Sequence, residues 1–284
     1  MTSIATLIAV YAADDPGHFR EALASIVCQR IDQTYVSRIY LGIDGPVGPA
    51  LEKVVNEYGP ALYRVFRSEH NRGLAATLNS LIQALEDEDF LFRMDADDQS
   101  LPDRYQAQLD YLATHPEIDI LGTAITEVDC TTGEERIVSF CRDPQDAIDN
   151  MHRRVPVAHP TVCFRRRVLS TVGGYPVAGT NEDVALWFEC LRAGFKFDNL
   201  AQAQLRFRIS EGFWRRRSFK KARSELMCYM RGIYALDGLF TPKYAYPMLR
   251  LMVRLAPTAV SKWMYRSSLR PNNTRPSPKD GLIK

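Results

Sequence analysis

Apolar positions along the first two hundred residues come in short runs separated by segments of helical period. The most informative run, Phe90-Leu91-Phe92-Arg93-Met94, ends in Asp95, Asp97 and Asp98. A short run of residues that fit a pleated surface reads as a buried strand. The carboxylates then fall at its C-terminal mouth, where open α/β sheets place their ligands. Asp95 and Asp97 alternate across Ala96, so in an extended chain they point the same way and can share one hard divalent cation. Asp98 begins the following turn. The competing reading is a solvated turn over 97–102 leading into a helix near Pro102.

Upstream the same alternation recurs. Thr6–Tyr11 is a short apolar strand, Ala12–Pro16 a turn, and Phe19, Leu23, Ile26 and Val27 mark the first helix. Arg38–Ile43 forms a second strand, which Asp44-Gly45-Pro46 stops sharply. Asp44 is thus another carboxylate at a strand end, although a turn aspartate bonding its own backbone explains it equally simply. A helix over 48–58 and a strand over 63–67 follow. Asn71-Arg72-Gly73 is then a turn opening an amphipathic helix through Leu81, Ile82 and Leu85. The free N–H groups of such a turn can receive phosphate, with Arg72 as counter-charge. Strand–helix alternation through residue 100 predicts a mainly parallel, doubly wound sheet.

Beyond the carboxylates, Tyr105, Leu109 and Leu112 outline a helix ending near His115-Pro116, residues 118–122 start a strand, and residues 123–142 alternate as a β excursion. Pro156–Arg165 reads as loop into strand, with His159 held extended by Pro160. Gly173-Gly174-Tyr175-Pro176 is a turn. Thr180 or Asn181 can cap the next helix, whose first turn carries Glu182 and Asp183, favourable with the helix dipole. Adjacent helical residues point in different directions, so one of these carboxylates faces the open end of the sheet. Leu205–Ser210 is the last predicted strand.

With 284 residues and 46% hydrophobic content the chain can build a globular core, which excludes global disorder. The six cysteines are scattered, without a Cys-x-x-Cys pair or a His at zinc spacing; reduced thiols in a cytosolic protein are expected. No secretory signal opens the sequence, and no uncharged stretch approaches the roughly 18 residues of a membrane span. Charge divides the chain. Residues 1–200 hold 18 Lys and Arg against 30 Asp and Glu, whereas residues 201–284 hold 18 against 4. Such asymmetry predicts a polyanionic partner, nucleic acid or a membrane surface. In the second of two helical segments expected there, Arg250, Arg254, Lys262 and Arg266 fall on multiples of four, apolar residues fill other faces, and Pro257 interrupts the helix. Residues 271–284 have the composition of a disordered tail.

Taken in order, Val10-Tyr11, Asp44, Asn71-Arg72-Gly73-Leu74, Met94-Asp95-Ala96-Asp97-Asp98, His159-Pro160 with Gly173-Gly174-Tyr175, and Asn181-Glu182-Asp183 form a specific series. In this series the sequence resembles the inverting glycosyltransferases of family 2, which have the GT-A fold, over residues 4–210. The resemblance implies a GT-A (Rossmann-like) α/β domain over residues 1–210, a mainly parallel sheet flanked by helices that binds the nucleotide-sugar. A basic amphipathic helical region follows over residues 211–284. By the same resemblance Val10, Tyr11 and Asp44 contact the nucleobase and ribose, and Asn71 and Arg72 lie near the nucleotide. Asp95 and Ala96 approach the ribose and donor sugar, and Asp95 with Asp97 hold Mn2+ or Mg2+ on the diphosphate. Asp183 is the implied catalytic base with Glu182 in support, and His159 lines the acceptor side.

The implied reaction moves one sugar from a nucleotide-sugar, expected to be a UDP-sugar, to a hydroxyl of a saccharide or lipid-linked saccharide. O-antigen, lipooligosaccharide or capsule assembly would use it. With the basic tail, this predicts a cytoplasmic protein held peripherally on the anionic inner face of the cytoplasmic membrane. One departure is clear: the Gln-x-x-Arg-Trp motif of processive synthases is absent, and Trp214-Arg215-Arg216-Arg217 only loosely occupies its place. Addition of a single sugar is therefore expected. A basic helix packed on the acidic body is the other reading of the tail. A nucleotidyltransferase would share the sheet and carboxylates, but it needs a Gly-rich, basic loop after the first strand, where this chain has Tyr11–Asp15. A nucleic-acid-binding protein would account for the tail alone, and nucleic acid is not an expected partner.

Overall fold

The structure, a computed structural model, describes residues 2–177, 181–209 and 219–255. Thr180, the Trp214–Arg217 run, Lys262, Arg266 and residues 271–284, to which the sequence assigned features, lie outside the described residues.

Strand β1 (Thr2–Tyr11) is buried on both faces, with Ile4, Ile8 and Val10 toward one and Ala5 and Leu7 toward the other. Cover on both sides makes it a central strand, as parallel sheets require. Parallel to it on one side run β2 (Tyr35–Asp44) and then β3 (Leu62–Arg67), and on the other β4 (Phe90–Asp95). The chain moves outward from β1 through β2 and β3 and returns with β4, so the strand order reverses beside β1. Helices α1 (Pro16–Val27) and α2 (Pro49–Tyr58) cover one face through Phe19, Leu23 and Val54, and α3 (Leu74–Gln83) covers the other through Leu78 and Leu81. Proline at the first position starts α1 and α2. Asp15 completes the α1 terminus by accepting from the His18 N–H at 2.9 Å.

The second half is mixed. It comprises β5 (Gln99–Ser100), α4 (Arg104–Thr114), the hairpin β6 (Ile120–Asp129) and β7 (Glu135–Val138), α5 (Pro144–Asn150), β8 (Cys163–Arg165), α6 (Arg166–Val172), α7 (Glu182–Arg192) and β9 (Phe197–Ile209). The sheet order is β3-β2-β1-β4-β8-β6-β9-β5, with β7 beside β6. The short β8 is antiparallel to both β4 and β6, whereas β9 runs parallel to β6.

Strand β9 begins eight residues before the predicted 205, because its polar residues are satisfied inside the fold. Asp198 accepts from the Tyr111 hydroxyl at 2.6 Å, and Asn199 donates to the carbonyls of Cys141 and Pro156, each at 3.0 Å. Helices α5 and α6 were not anticipated. The first starts at an Asp143 cap and is mostly polar, and the second opens with Arg166 and Arg167, so neither shows an apolar period.

Helix α8 (Phe219–Asp237) lies against α7, with Tyr229 edge-on to Phe188 at 5.7 Å between ring centroids. Gly232 sits under the Phe188 ring, where a Cβ would come within 2.2 Å. Helix α9 (Ala245–Leu255) returns along α8. All six cysteines are unpaired. Among the described residues no helix is long and apolar enough to cross a membrane.

Candidate active site

The register of the three central strands sets the first row of the site. Tyr11 is the partner of Asp44 across β1 and β2, and Ala9 is the partner of Asp95 across β1 and β4. Val10, Tyr11, Asp44 and Asp95 therefore line the carboxyl ends of adjacent parallel strands, beside the reversal of strand order where such sheets bind ligands.

Asp44 is buried and tethers the loop ahead of α3. Its Oδ1 accepts from the Arg72 N–H at 2.7 Å and its Oδ2 from the Gly73 N–H at 2.9 Å, while the Asn71 side-chain amide donates to the Asp44 carbonyl at 3.3 Å. The approach is close enough that a Cβ on Gly45, at φ +86°, would meet the Asn71 nitrogen at 2.8 Å. The structure thus brings together Asp44 and Asn71, two of the residues the sequence assigned to the nucleotide. Arg72 is different: its guanidinium bonds Ser68 Oγ at 3.1 Å and Ser80 Oγ at 2.8 Å, turned onto α3.

Asp95, Asp97 and Asp98 converge, with one carboxylate oxygen of each within 4.8 Å of the others. Asp98, read from sequence as the start of a turn, is fully buried. Its Oδ1 accepts from the Arg208 N–H at 3.0 Å, and its Oδ2 has no partner among the described residues. Arg208 also donates to the Asp97 carbonyl at 2.9 Å, so β9 fixes the acidic turn from below. Burial, with the charges of Asp95 and Asp97, pushes the Asp98 carboxyl well above the carboxylate range. Three hard oxygen donors, one of them buried and unsatisfied, fit a divalent cation of the Mg2+ or Mn2+ type.

Arg93 is the residue sequence reasoning missed. It is 2% exposed, forms an ion pair with Asp95, and has Nε and Nη1 without partners among the described residues. Its positive charge is felt at Asp98, His159, Tyr175 and Asp183. The sequence signal was its position two residues before Asp95, on the same side of an extended strand.

The opposite wall hangs from α3. Asn79 accepts from the Tyr175 N–H at 2.7 Å and donates to the Tyr175 carbonyl at 2.8 Å. The Tyr175 hydroxyl lies 2.8 Å from His159 Nε2, and the His159 ring stands edge-on to Trp187 of α7 at 5.9 Å. Burial, and then the Arg93 charge, hold His159 well below its ordinary value, hence neutral. Two residues into α7, Asp183 is pushed up to about 6, first by burial and then by the negative charge of Glu182. Tyr229 and Cys228 of α8 feel the Asp183 charge in turn, and Cys228 Sγ lies 3.9 Å from the Asn181 carbonyl just ahead of α7.

The sequence matches a known family. The profile of glycosyl transferase family 2 covers residues 7–173. The chain is 33% identical over 274 residues to an uncharacterized glycosyltransferase of Haemophilus influenzae, spanning 93% of this chain and 98% of that protein. The chain belongs to glycosyl transferase family 2. It is also 29% identical over 270 residues to the Escherichia coli UDP-Gal:alpha-D-GlcNAc-diphosphoundecaprenol beta-1,3-galactosyltransferase, across 93% of this chain and 95% of that one. The crystal structure of S. aureus TarS 1–349 in complex with UDP-GlcNAc superposes with a TM-score of 0.67 over 99% of this chain and 77% of that chain, at 15% identity. That likeness is one of fold, and the fold is the GT-A fold expected from the sequence. The enzyme is a glycosyltransferase, and membership of this family sets aside the nucleotidyltransferase reading. The family profile includes the strand-end acids and His159 but stops short of Asp183.

Proposed function

We propose that this glycosyltransferase adds one sugar, with inversion, from a nucleoside diphosphate sugar to a hydroxyl of a lipid-linked saccharide during surface-polysaccharide assembly. The observation that carries the mechanism is Asp183, a carboxylate raised to about 6 at the start of α7. It is ionised at neutral pH yet basic enough to take a proton. The acceptor hydroxyl is a poor nucleophile until a carboxylate removes its proton as it attacks. Asp183 takes that proton, the acceptor oxygen bonds to the anomeric carbon, and the sugar–phosphate bond breaks with its electron pair leaving on the diphosphate. With one base and no second protein nucleophile, the configuration inverts, so an α-linked donor gives a β-glycoside.

Asp95, Asp97 and Asp98 would hold Mg2+ or Mn2+, which when bound neutralises charge on the diphosphate. Val10, Tyr11, Asp44 and Asn71 would seat the nucleoside, with Ala96 near the donor sugar. Arg72 serves this reading through its backbone N–H, which fixes Asp44. Glu182 tunes Asp183, and neutral His159 lines the acceptor side. The Escherichia coli relative takes UDP-Gal and a diphosphoundecaprenol-linked acceptor by its name, which supports a UDP-sugar donor and an acceptor of that lipid class here. Residues 1–210 would then do the chemistry, and residues 211–284 would meet the cytoplasmic leaflet that holds the acceptor.

The test is a panel of α-linked UDP-sugars offered with polyprenyl-diphosphate-linked saccharides, the product read by proton NMR. One added β-linked sugar is expected. An α-linked product, or a polymer, would overturn the reading.

A further inference from the structure

Helix α9 is apolar on the wrong side. Pro247, Arg250 and Leu251 face α8, where they meet Glu225 and Tyr229. Met248, Leu249 and Met252 point outward, with 50%, 60% and 71% of their surfaces exposed. The connection from α8 adds Leu239 at 63% and Phe240 at 95%, and Tyr234 in the last turns of α8 is 62% exposed. A surface helix ordinarily turns its polar face outward, and a cluster of exposed large apolar side chains marks an interaction site.

The helix cannot rotate to hide that face. Arg250 donates to the Tyr229 hydroxyl at 2.9 Å, to Glu225 Oε1 at 3.2 Å and to the Arg153 carbonyl at 2.7 Å. These bonds lock α9 about its axis. They also remove Arg250 from the four cations that the sequence spacing assigned to a membrane face. The side chain of Arg254 is not among those described.

We propose that the outward face of α8 and α9, centred on Phe240, Leu249 and Met252, is a docking surface that seats in the interfacial region of an anionic lipid leaflet. Apolar side chains enter the headgroup boundary while basic residues meet the anionic heads. Charge favours this partner: the exposed side chains of α8 include Lys221 and Arg223, while its acids Glu225 and Asp237 are paired with Arg250 and Lys243, which suits an anionic surface. Exposed Arg231, one helical turn before Tyr234, supplies a cation at the rim. The proposal rests on the lipid-linked acceptor reading for its biological sense, but its test needs no acceptor.

The full chain is sedimented with vesicles of phosphatidylcholine alone or with phosphatidylglycerol added. Binding to the anionic vesicles is expected, and Phe240→Ser with Leu249→Ser and Met252→Ser should weaken it by about tenfold or more, since each lost apolar group removes buried area. Donor hydrolysis and the melting temperature should stay at wild-type values, since these side chains touch neither site nor core. A Phe240→Trp variant should gain quenching by brominated lipid relative to wild type. Equal binding of the triple variant and wild type would overturn the proposal, as would absence of binding to anionic vesicles or a dimer in solution that the triple variant dissociates. If the acceptor reading alone is wrong, vesicle binding persists while transfer to polyprenyl-linked saccharides fails.

Discussion

Arg93 and Asp95, two residues apart on the same side of β4, form an ion pair at the carboxyl end of the sheet, with the arginine almost wholly buried. The strand thus carries its own counter-charge to the acids that follow it. A buried charge is tolerable only when paired, and removing one partner leaves the other uncompensated.

Arg93→Met should therefore cost about 3 kcal/mol of stability, the lower end for a broken buried pair because Asp95 is partly exposed. It should also raise the apparent pKa of Asp183, which the Arg93 charge now lowers. Arg93→Lys should recover part of both. Urea denaturation and a pH profile of turnover read the two effects. An unchanged profile would show that Arg93 acts on Asp95 alone.

The acidic cluster predicts a cation requirement at the level of binding. Asp97→Ala should bind a nucleoside diphosphate with little response to added Mg2+ or Mn2+, whereas the wild type should bind it more tightly with the metal present, and the fold should be retained. Titration calorimetry with and without chelator measures this. Full wild-type affinity in chelator would contradict the metal assignment.

Asn79 holds both backbone groups of Tyr175, and through Tyr175 it positions His159. Asn79→Ala leaves a buried donor and acceptor unpaired and should destabilise by about 1–3 kcal/mol. Gly174, at φ +88°, permits this contact, because a Cβ there would meet Asn79 Oδ1 at 2.5 Å; Gly174→Ala should be destabilising as well. Tyr175→Phe should keep the fold and lower kcat more than it changes KM for donor, since it frees only the His159 ring.

Strands β1, β2 and β4 were legible because their buried stretches are covered on both faces and read as apolar runs. Asp44, Asp95 and Asp183 stood out because each follows such a run or opens a helix. Arg93 was hidden for the opposite reason: inside an apolar run, a charge looks like an interruption of the pattern, and only its partner two residues on explains it. Strand β9 was half hidden, since Asp198 and Asn199 find their hydrogen bonds in distant segments. Arg250 was misplaced because spacing by four identifies a stripe on a helix without saying which way it faces. The ion pair with Glu225 decides that, and Glu225 lies 25 residues away.

Asp183 also predicts how stability depends on pH. Its folded value of about 6 lies above the ordinary 3.8, so the folded state disfavours the charged form. Stability from this group is greatest at low pH and is lost as pH rises from about 4 through about 6, by at most about 3 kcal/mol before allowing for its partial exposure. Asp183→Asn should melt higher than wild type at pH 8, with the difference vanishing near pH 4. Calorimetric scans at the two pH values check this.

The central claim is that Asp183 is the base. It is tested most directly by the single-turnover rate of sugar transfer, at saturating donor and from pH 5 to 8, for the wild type and Asp183→Asn. The wild-type rate should fall as pH drops through about 6, as the carboxylate takes up a proton. The variant should bind donor normally and transfer about 10²–10⁴-fold more slowly, with no such titration. A variant that transfers at the wild-type rate, or a Glu182→Gln variant that is the inactive one instead, would contradict the account.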